Sequence, residues 1–460
     1  MLSAQPPWDK TVTRYILTGG LLLLALPAHA VDVDFAGYYR ARARAFQSLS
    51  IETGEQDSEA SSIYVQHRFL LRPTFYINDN VMVSADIRGL ENVAWGDVPA
   101  PAFDFEQGAE ELVVTTDNLQ PGEDSALTNG AANIQLWRAW SEVRFGDHTL
   151  RFGRMPLNWG SGIWWNDGLG RNAEYGDTAD RIQWEGLFGE IYASAAIDVN
   201  SEALFNASDD TTSFNAMGAY RSETITAGAA LQLRHTVHAD GADPFTVATI
   251  DLSFDAEIGR IAIHGEGVAR FGGGDLSIDD QAVNIAAGGA VLEGDVGFDF
   301  ATVGLVAGVA TGDGTIDNTR TTFTFDRDYN VGLLMFEQPL PTFAIRTESG
   351  EIVGRSFDEV ASGNAVSNAL FLKPRIKRTI NDQFEVEGSL LWGRVLAAPE
   401  EGRESYGFEF NAGANYIGTE HVDIGLSGAI LLPGSYYSEI DGRDLSRPVL
   451  GAQLLGRVVF

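Results

Sequence analysis

Long stretches in which apolar and polar residues alternate with a period of two constrain this chain of 460 residues most strongly. Between residues 421 and 433, for example, Val422, Ile424 and Leu426 share one face of an extended strand, and polar residues occupy the other. These stretches run for about 11–14 residues, whereas strands of soluble sheets usually have about 5–6 and a tilted strand that spans a bilayer needs about 9–11. The pattern therefore predicts membrane-spanning β-strands.

Eighteen strands of this kind are predicted, and bacterial barrels built from a single chain have an even number of strands. Sixteen strands are the alternative, because the hairpins over residues 180–199 and 215–236 are the weakest of the set. The predicted strands lie near residues 35–46, 62–77, 80–90, 133–145, 148–155, 180–186, 189–199, 215–222, 224–236, 245–258, 260–271, 282–293, 295–310, 365–379, 382–396, 405–418, 420–432 and 449–460.

The gaps between these strands alternate between very short and longer ones, and two of the longer gaps, residues 91–132 and 311–364, are very long. Short periplasmic turns that alternate with longer external loops are typical of an outer-membrane barrel, and a soluble all-β fold has no reason to keep this parity. We therefore predict an all-β protein in which residues 31–460 form a transmembrane antiparallel up-and-down β-barrel. The short gaps lie at residues 78–79, 146–147, 187–188, 223, 259, 294, 381 and 419.

Both ends of the chain carry features of export to the outer membrane. Lys10 and Arg14 precede an apolar stretch at residues 15–26, and an A-x-A site ends at Ala30, so residues 1–30 are predicted to be a cleavable signal peptide. A retained anchor is the alternative, but the apolar stretch is shorter than the roughly 20 residues that a helical span needs. Phe460 closes an alternating strand, and we expect it to engage the machinery that assembles outer-membrane barrels.

Composition excludes several classes of function. Cysteine is absent, which excludes disulfides and thiolate metal sites, and the formal charge of −33 disfavours binding to nucleic acid. Residues 91–132 hold nine carboxylates and no Lys or Arg. This segment is interpreted as a hydrated external loop, or alternatively as a site where divalent ions bridge carboxylates to lipid phosphates. No calcium-loop spacing is present, so neither a metal site nor a cofactor is predicted.

The sequence lacks the motifs of serine hydrolases, zinc proteases and P-loop enzymes, so the chain is not predicted to be an enzyme. His67 is the one histidine that shares a predicted lipid-facing register, together with Ile63 and Phe69. Outer-membrane hydrolases place Ser and His on such a face. A single histidine without a partner that orients it makes no catalytic triad, however, so His67 is interpreted as a tolerated residue near the membrane boundary.

Arginines that alternate with alanines form the most informative charge pattern. Arg40, Arg42 and Arg44 share one face of the first strand, and each would cost about 2–4 kcal/mol at the bilayer midplane if it faced lipid. They are therefore predicted to line the lumen, beside arginines of neighbouring strands and, through barrel closure, Arg457. The predicted solute-binding residues of this basic wall are Arg40, Arg42, Arg44, Arg68, Arg72, Arg88, Arg138, Arg144 and Arg154, with Arg151 as an alternative to Arg154.

A second basic cluster, Lys373, Arg375 and Lys377, is also predicted to face the lumen and bind solutes. Acidic residues are predicted to form a separate wall, so that a transverse field crosses a wet pore. The alternative is that these charges pair and fill a closed lumen, although about 16–18 strands leave an aqueous channel unless something plugs it. The acidic residues are Asp251, Asp255, Glu257, Glu385, Glu387, Glu409 and Asp423.

The segment that follows the fifth predicted strand is rich in Gly, Pro and Trp, and includes Pro156, Trp159, Trp164 and Trp165. Gly and Pro prevent the strand from continuing, so the chain must turn there. One interpretation is an inward-folded loop that narrows the pore and offers aromatic faces to sugars. The other is an aromatic belt at the membrane interface.

Three segments give the chain a resemblance to a known family. They read RFGRMPLNWG at residues 151–160, HRFLLRPTFYINDNVMVSADIRG at residues 67–89 and FDRDYNVGLLMFEQPL at residues 325–340. The segments resemble those of outer-membrane porins of the alginate-export family, or of a sister family. The resemblance implies a large monomeric barrel of similar strand number with an arginine-rich lumen.

The predicted function is a porin-like channel in the bacterial outer membrane, surrounded by its lipids, for passive passage of small hydrophilic solutes. Loop charges lie in bulk water and are screened beyond about 8 Å, whereas lumen charges act in a narrower space. The basic wall therefore favours anionic or sugar-like solutes, including oligosaccharides that carry uronates. A structural or adhesive surface barrel without an open pore is the alternative, and an outer-membrane hydrolase is a more distant one.

Overall fold

The structure, a computed structural model, describes residues 31–47, 61–94, 134–201, 210–238, 242–276, 281–314, 318–338, 344–346, 352–355, 365–398, 402–437 and 447–460. The predicted signal peptide at residues 1–30 lies outside the described residues. So do most of the acidic loop at residues 91–132 and parts of the loop at residues 311–364.

Eighteen long strands follow one another along the described chain and confirm the predicted number. The hairpins on which the sixteen-strand alternative depended are present as β6–β7 and β8–β9, so that alternative is wrong. The strands are β1 Asp32–Gln47, β2 Ser61–Asn78, β3 Val81–Ala94, β4 Ile134–Phe145, β5 His148–Pro156, β6 Thr178–Phe188, β7 Ile191–Ser201, β8 Thr211–Arg221, β9 Ile225–Thr236, β10 Phe245–Ile258, β11 Ile261–Leu276, β12 Gln281–Gly297, β13 Thr302–Ala310, β14 Ala369–Asn381, β15 Phe384–Val395, β16 Ser405–Tyr416, β17 Val422–Pro433 and β18 Val449–Val459.

The sheet closes on itself. Each strand pairs antiparallel with its neighbours in sequence, and β1 pairs with β18 from Tyr38 opposite Val459 to Gln47 opposite Leu450. A closed sheet leaves no unpaired edge, which is the condition for a β-structure to lie in a bilayer. The fold class predicted from the alternation, an up-and-down antiparallel barrel, is therefore confirmed. Shorter elements are Thr319–Arg320, the hairpin Ala344–Arg346 with Ile352–Arg355, and the 3₁₀ turn Ser435–Tyr437.

Short turns and longer loops alternate around the barrel as predicted, but four turns differ in position. Two are shifted by about one residue, since Asn78 and Asn381 end β2 and β14 and the turns lie at residues 79–80 and 382–383. The other two differ more. Gly294 is not a turn but lies inside β12, and the chain reverses instead at residues 298–301, where Phe298 N donates to Ala301 O at 2.8 Å. The β6–β7 turn lies at residues 189–190 rather than 187–188, because Gly189 supplies the positive φ of 65° that a two-residue hairpin turn requires.

Large apolar side chains cover the outer face of the barrel. Ile182, Leu231 and Leu252 are 62%, 47% and 59% exposed, a cost in water that disappears against lipid chains. Their strand neighbours of opposite parity, such as Arg181 and Gln232, are buried inside. Within the described residues, no helix is both long and apolar enough to cross a membrane.

Two loop segments fold into the barrel and fill its middle. We call residues 157–177, between β5 and β6, the first inner loop, and residues 321–338, between β13 and β14, the second inner loop. Ile163, Phe323 and Leu334 are fully buried, so the apolar core of the protein lies inside the lumen. Burying a side chain of this size contributes about 1.5–3 kcal/mol, which favours the inserted positions of both loops.

Candidate functional site: the charged lumen

Alternation on β1 turns three arginines into the barrel. Arg40, Arg42 and Arg44 are buried, and strand pairing places Arg40 opposite Arg68 of β2 on one side and Arg457 of β18 on the other. Arg88 of β3 and Arg138 of β4 continue the same inner surface. The structure thus brings these sequence-predicted residues together, and we call Arg40, Arg42, Arg44, Arg68, Arg88 and Arg138 the arginine ladder.

The ladder binds the backbone of the first inner loop. Arg40 Nη1 donates to Ala173 O at 2.7 Å, and Arg68 Nη1 donates to the same oxygen at 3.0 Å. Arg138 Nη2 donates to Asp167 O and Asp177 O at 2.8 and 2.7 Å. Carbonyl oxygens satisfy guanidinium donors without cancelling their charge, so these hydrogen bonds hold the loop and leave the charges of Arg40 and Arg68 in place. Arg138 also forms a buried ion pair with Asp86 at 3.3 Å.

A carboxylate of the first inner loop inserts between two ladder arginines. Glu174 forms ion pairs with Arg42 and with Arg44, the latter at 2.7 Å, and Glu337 of the second inner loop also contacts Arg44 at 3.2 Å. Burial opposes ionisation of Glu174, but the charges of Arg42 and Arg44 outweigh it and lower its pKa to about 2. Burial raises the pKa of Glu337 to about 8, and the charge of Glu174 adds to that effect. Two carboxyls therefore share one guanidinium, and the Glu174 carboxylate holds the negative charge.

The second inner loop is held by barrel side chains and by the first loop. The carboxylate of Glu409 on β16 accepts backbone hydrogen bonds from Leu333 and Leu334 at 2.7 and 3.1 Å, and from Met335. Asp328 Oδ1 accepts the backbone N–H of Glu174 at 2.6 Å, which joins the two loops. The predicted inward position of Glu409 is thus found, but its role is to bind a loop.

The far wall of the lumen receives the other end of the first inner loop. Trp159 Nε1 donates to Asp251 Oδ1 of β10 at 3.2 Å, and Ile163 N donates to Glu266 Oε2 of β11 at 3.3 Å. With the ladder contacts, these bonds show that the loop crosses the full width of the barrel. Trp164 and Trp165 are buried against one another with ring centroids 4.0 Å apart. The inward-folded interpretation is therefore correct, and the interfacial belt is wrong for these two residues, but neither ring is open to a sugar.

The second basic cluster faces the lumen, but acidic residues lie among its members. Arg375 contacts Asp295 at 2.6 Å and Glu293 at 3.1 Å, and Lys377 contacts Glu385 at 3.1 Å. Lys373 Nζ donates to a carbonyl of the second inner loop. The prediction of basic and acidic walls that stay apart is wrong here, because adjacent strands present opposite charges to each other.

Three arginines assigned to the basic wall lie elsewhere or differ in role. Arg154 is on the outer face and contacts Asp180 at 2.6 Å, with both side chains about half exposed, so the alternative Arg151 is the luminal residue. Arg144 is exposed beside the turn at residues 146–147. Arg72 is luminal and forms a bidentate pair with Asp86 at 2.6 and 2.8 Å.

The remaining acidic and histidine predictions are placed as follows. Asp255 lies beside His264, 2.6 Å from its Nδ1, and Asp423 contacts Arg171 of the first inner loop at 2.8 Å. His67 faces outward, as predicted, and its ring packs edge-on against Tyr39. Glu257, the penultimate residue of β10, is exposed.

Sequence reasoning missed several luminal arginines because each stands alone on its strand. Arg181 of β6 forms a buried bidentate pair with Asp198 at 2.6 and 2.9 Å. Arg234 of β9 and Arg270 of β11 also have inward parity, since they follow the buried residues Gln232 and Val268 at a spacing of two. The same alternation that identified the ladder would have located all three.

Solved structures with the same architecture are outer-membrane porin barrels. OccK2 (OpdF) of Pseudomonas aeruginosa matches with a TM-score of 0.51 at 11% identity, over 93% of this chain and 98% of that chain. OccK5 (OpdH) of the same organism gives 0.51 at 10% identity with the same coverage, and OccK11 (OpdR) gives 0.50 at 11% identity over 93% and 96%. No protein-family model and no curated protein matches the chain. At these identities the likeness establishes the fold, which is that of an outer-membrane porin.

Proposed function

We propose that this protein is a channel of the bacterial outer membrane that admits small hydrophilic solutes passively. The observation that carries the proposal is the pair of inner loops, which arginines and carboxylates of the barrel wall hold across the lumen of an eighteen-stranded barrel. Loops fixed inside a wide barrel narrow its passage to the size of small solutes. The barrel would sit among outer-membrane lipids, with Phe460 engaging the assembly machinery during insertion.

We further propose that the passage favours anionic or sugar-like solutes. Arg40 and Arg68 donate to the backbone carbonyl of Ala173, and a carbonyl, unlike a carboxylate, leaves the positive charge of its partner in place. Arg138 donates to two carbonyls as well, but it also forms a buried ion pair with Asp86. In a narrow lumen this charge acts over short distances with little screening. The ladder itself is buried beneath the first inner loop, so it would attract solutes through its field and through the loop position it sets.

The solute-binding role that we propose for each basic residue depends on how much of its side chain is exposed in the lumen. Arg72, Lys377 and Arg375 keep between about a quarter and a half of their side chains exposed, so they can touch a passing solute directly. Among the ladder residues, Arg42 and Arg138 are fully buried and would act only at a distance. Arg144 lies open at the short-turn end, where it would meet solutes that enter or leave.

The resemblance to alginate-export porins supports a finer proposal, that uronate-bearing oligosaccharides are among the solutes. An arginine-rich lumen is the feature that the two share, since planar guanidinium forks suit carboxylates. The solved structures named above are Occ porins rather than alginate-export porins, so the sequence segments at residues 67–89, 151–160 and 325–340 are the support for this narrower assignment.

A structural or adhesive barrel without an open pore is the second candidate, and one observation favours it. The fully buried Ile163, Phe323 and Leu334 occupy the middle of the lumen and leave no water around themselves. A hydrolase has less support, because the sequence carries none of the motifs of serine hydrolases, and the ring of the outward-facing His67 packs edge-on against the Tyr39 ring.

Liposome swelling distinguishes the two main candidates. Purified protein in liposomes should admit small sugars such as arabinose, and the swelling rate should fall steeply from mono- to trisaccharides because the inner loops narrow the passage. The matched control is protein-free liposomes of the same lipid. Absence of swelling with every sugar, from barrels that show the heat-dependent gel shift of a folded barrel, would establish a plugged lumen and refute the channel proposal.

A further inference from the structure

Two arginines face the lumen on the wall opposite the arginine ladder. Arg234 of β9 and Arg270 of β11 flank β10, where Val247 lies opposite Arg234 and Thr249 lies opposite Arg270. Arg234 is exposed and Arg270 is partly exposed, in contrast to the buried ladder. Both therefore lie where a solute in the lumen can reach them.

The guanidinium groups of this pair are not used to hold the protein together. Among the described residues, neither Arg234 nor Arg270 forms a hydrogen bond or an ion pair, whereas Arg40, Arg138 and Arg375 each do. The contact that fixes Arg270 is the face of Phe323 in the second inner loop, 5.0 Å from ring centroid to guanidinium carbon. A guanidinium that lies against an aromatic face keeps the N–H groups that point away from the ring available as hydrogen-bond donors.

The carboxylates that attract this pair already accept hydrogen bonds from other groups. Asp177 and Asp251 attract Arg270, and Asp177 and Asp198 attract Arg234. Asp198, however, is bidentate to Arg181, and Asp251 accepts from Trp159. Asp177 accepts the backbone N–H of Asn166 through its carboxylate. The two arginines thus experience these charges without bonding to them.

The charges of Arg234 and Arg270 also act on one another. Two like charges on one wall raise the free energy of the unliganded site, and an anion between them lowers it by pairing with both. A carboxylate accepts two parallel N–H bonds from one guanidinium, so a solute with carboxylates at both ends can satisfy the whole pair.

We propose that Arg234 and Arg270 form a subsite that binds carboxylate-bearing solutes, on the wall opposite the ladder and within reach of the lumen. This inference rests on the proposed function of the protein as a channel for anionic solutes, and it names the residues that contact them. In this arrangement the ladder positions the first inner loop, and the Arg234–Arg270 pair supplies open guanidinium donors to the solute.

Equilibrium binding to detergent-solubilised barrels tests the subsite without requiring that the pore conduct. Malonate should bind by titration calorimetry, and its neutral analogue malonamide should not. The double variant R234Q/R270Q should weaken malonate binding at least about tenfold, the loss expected when charge-assisted hydrogen bonds are removed. The variant R154Q is the matched control, because Arg154 carries the same charge on the outer face, and it should bind malonate as the native protein does.

The charge-preserving variant R234K/R270K separates a general field from guanidinium recognition. This variant should retain part of the malonate affinity, because lysine keeps the positive charge, and lose the part that depends on two parallel N–H bonds from one guanidinium. Equal malonate affinity in native and R234Q/R270Q barrels, or binding that R154Q weakens equally, would overturn the subsite. Failure of the channel proposal is distinct, since it would appear as an absence of swelling or conductance while malonate still binds.

Discussion

Removing the Glu174 carboxylate tests whether the arginine ladder holds the first inner loop in place. Glu174 pairs with Arg42 and with Arg44, whose side chains are nearly inaccessible to solvent. The variant E174A leaves two buried guanidinium charges without this partner, while Arg44 keeps Glu337. We expect the loop to detach from the ladder and the passage to widen.

The magnitude follows from the burial of the pair. Removing one partner of a buried ion pair costs about 3–5 kcal/mol, because the remaining charge stays desolvated and uncompensated. Backbone hydrogen bonds from Arg40 and Arg68 to Ala173 still hold the neighbouring residue, each contributing about 1.5–3 kcal/mol as charge-assisted bonds. The two amounts are comparable, so the loop should exchange between docked and detached positions rather than leave permanently.

In single-channel recordings across planar bilayers, this exchange should give E174A a larger mean conductance than the native protein, with frequent steps between two conductance levels. The matched control is E404A, which removes a glutamate from a pair with Arg394 in which both side chains are about half exposed. Such exposed ion pairs contribute under about 1 kcal/mol to stability, so E404A should show the same conductance as the native protein. Identical traces for E174A and E404A would refute the idea that Glu174 anchors the loop.

Two further predictions concern two separate places: the contact between the two inner loops, and the lipid-facing surface of the barrel. Burial, together with the charge of Asp177, raises the pKa of Asp326 to about 8. Burial also raises the pKa of Asp177. The pair therefore keeps a proton at neutral pH and loses that proton as the pH rises through about 8. The two carboxylates then repel one another, so conductance should increase between pH 7 and pH 9, and D326N should remove that step; a pH-independent native conductance contradicts this. On the outer face, L231R should destabilise the barrel in lipid by about 2–4 kcal/mol if Leu231 lies near the midplane, measured by urea titration of folding into liposomes with L231A as control. Equal stability of the two variants would mean that β9 does not face lipid there.

The strand number and the lumen-facing arginines were accessible from sequence because both depend on local alternation. A charge on the lipid side is costly, so the parity of Arg40, Arg42 and Arg44 determines the face on which they lie. The same rule could not choose between Arg151 and Arg154, which have opposite parity, until the pairing of β5 with β6 set the inward face. At the end of β12 the alternation continues past Gly294, so the turn was placed too early.

The roles of the charged residues depend on contacts between distant parts of the chain, and these were not accessible from sequence. Arg40 and Ala173 are 133 positions apart, and Glu409 and Met335 are 74 apart. No periodicity reports which loop enters the lumen or which side chains it meets. The sequence therefore identified many of the basic residues of the lumen, but not Arg181, Arg234 or Arg270, and not that several of the basic residues support a loop while others stay open to solutes.

The reversal potential in a potassium chloride gradient across a planar bilayer tests directly whether the luminal arginines make the channel prefer anions. Potassium and chloride have similar mobilities in water, so the sign of the potential reports the charge preference of the lumen. We expect anion preference for the native channel, and a reduced preference when Arg40, Arg42 and Arg44 are replaced with Ser. The variant R154S, which removes a charge from the outer face, should leave the preference unchanged. Cation preference in the native channel would mean that luminal or loop carboxylates, rather than the arginines, govern the passage, and the proposed anion selectivity would be wrong.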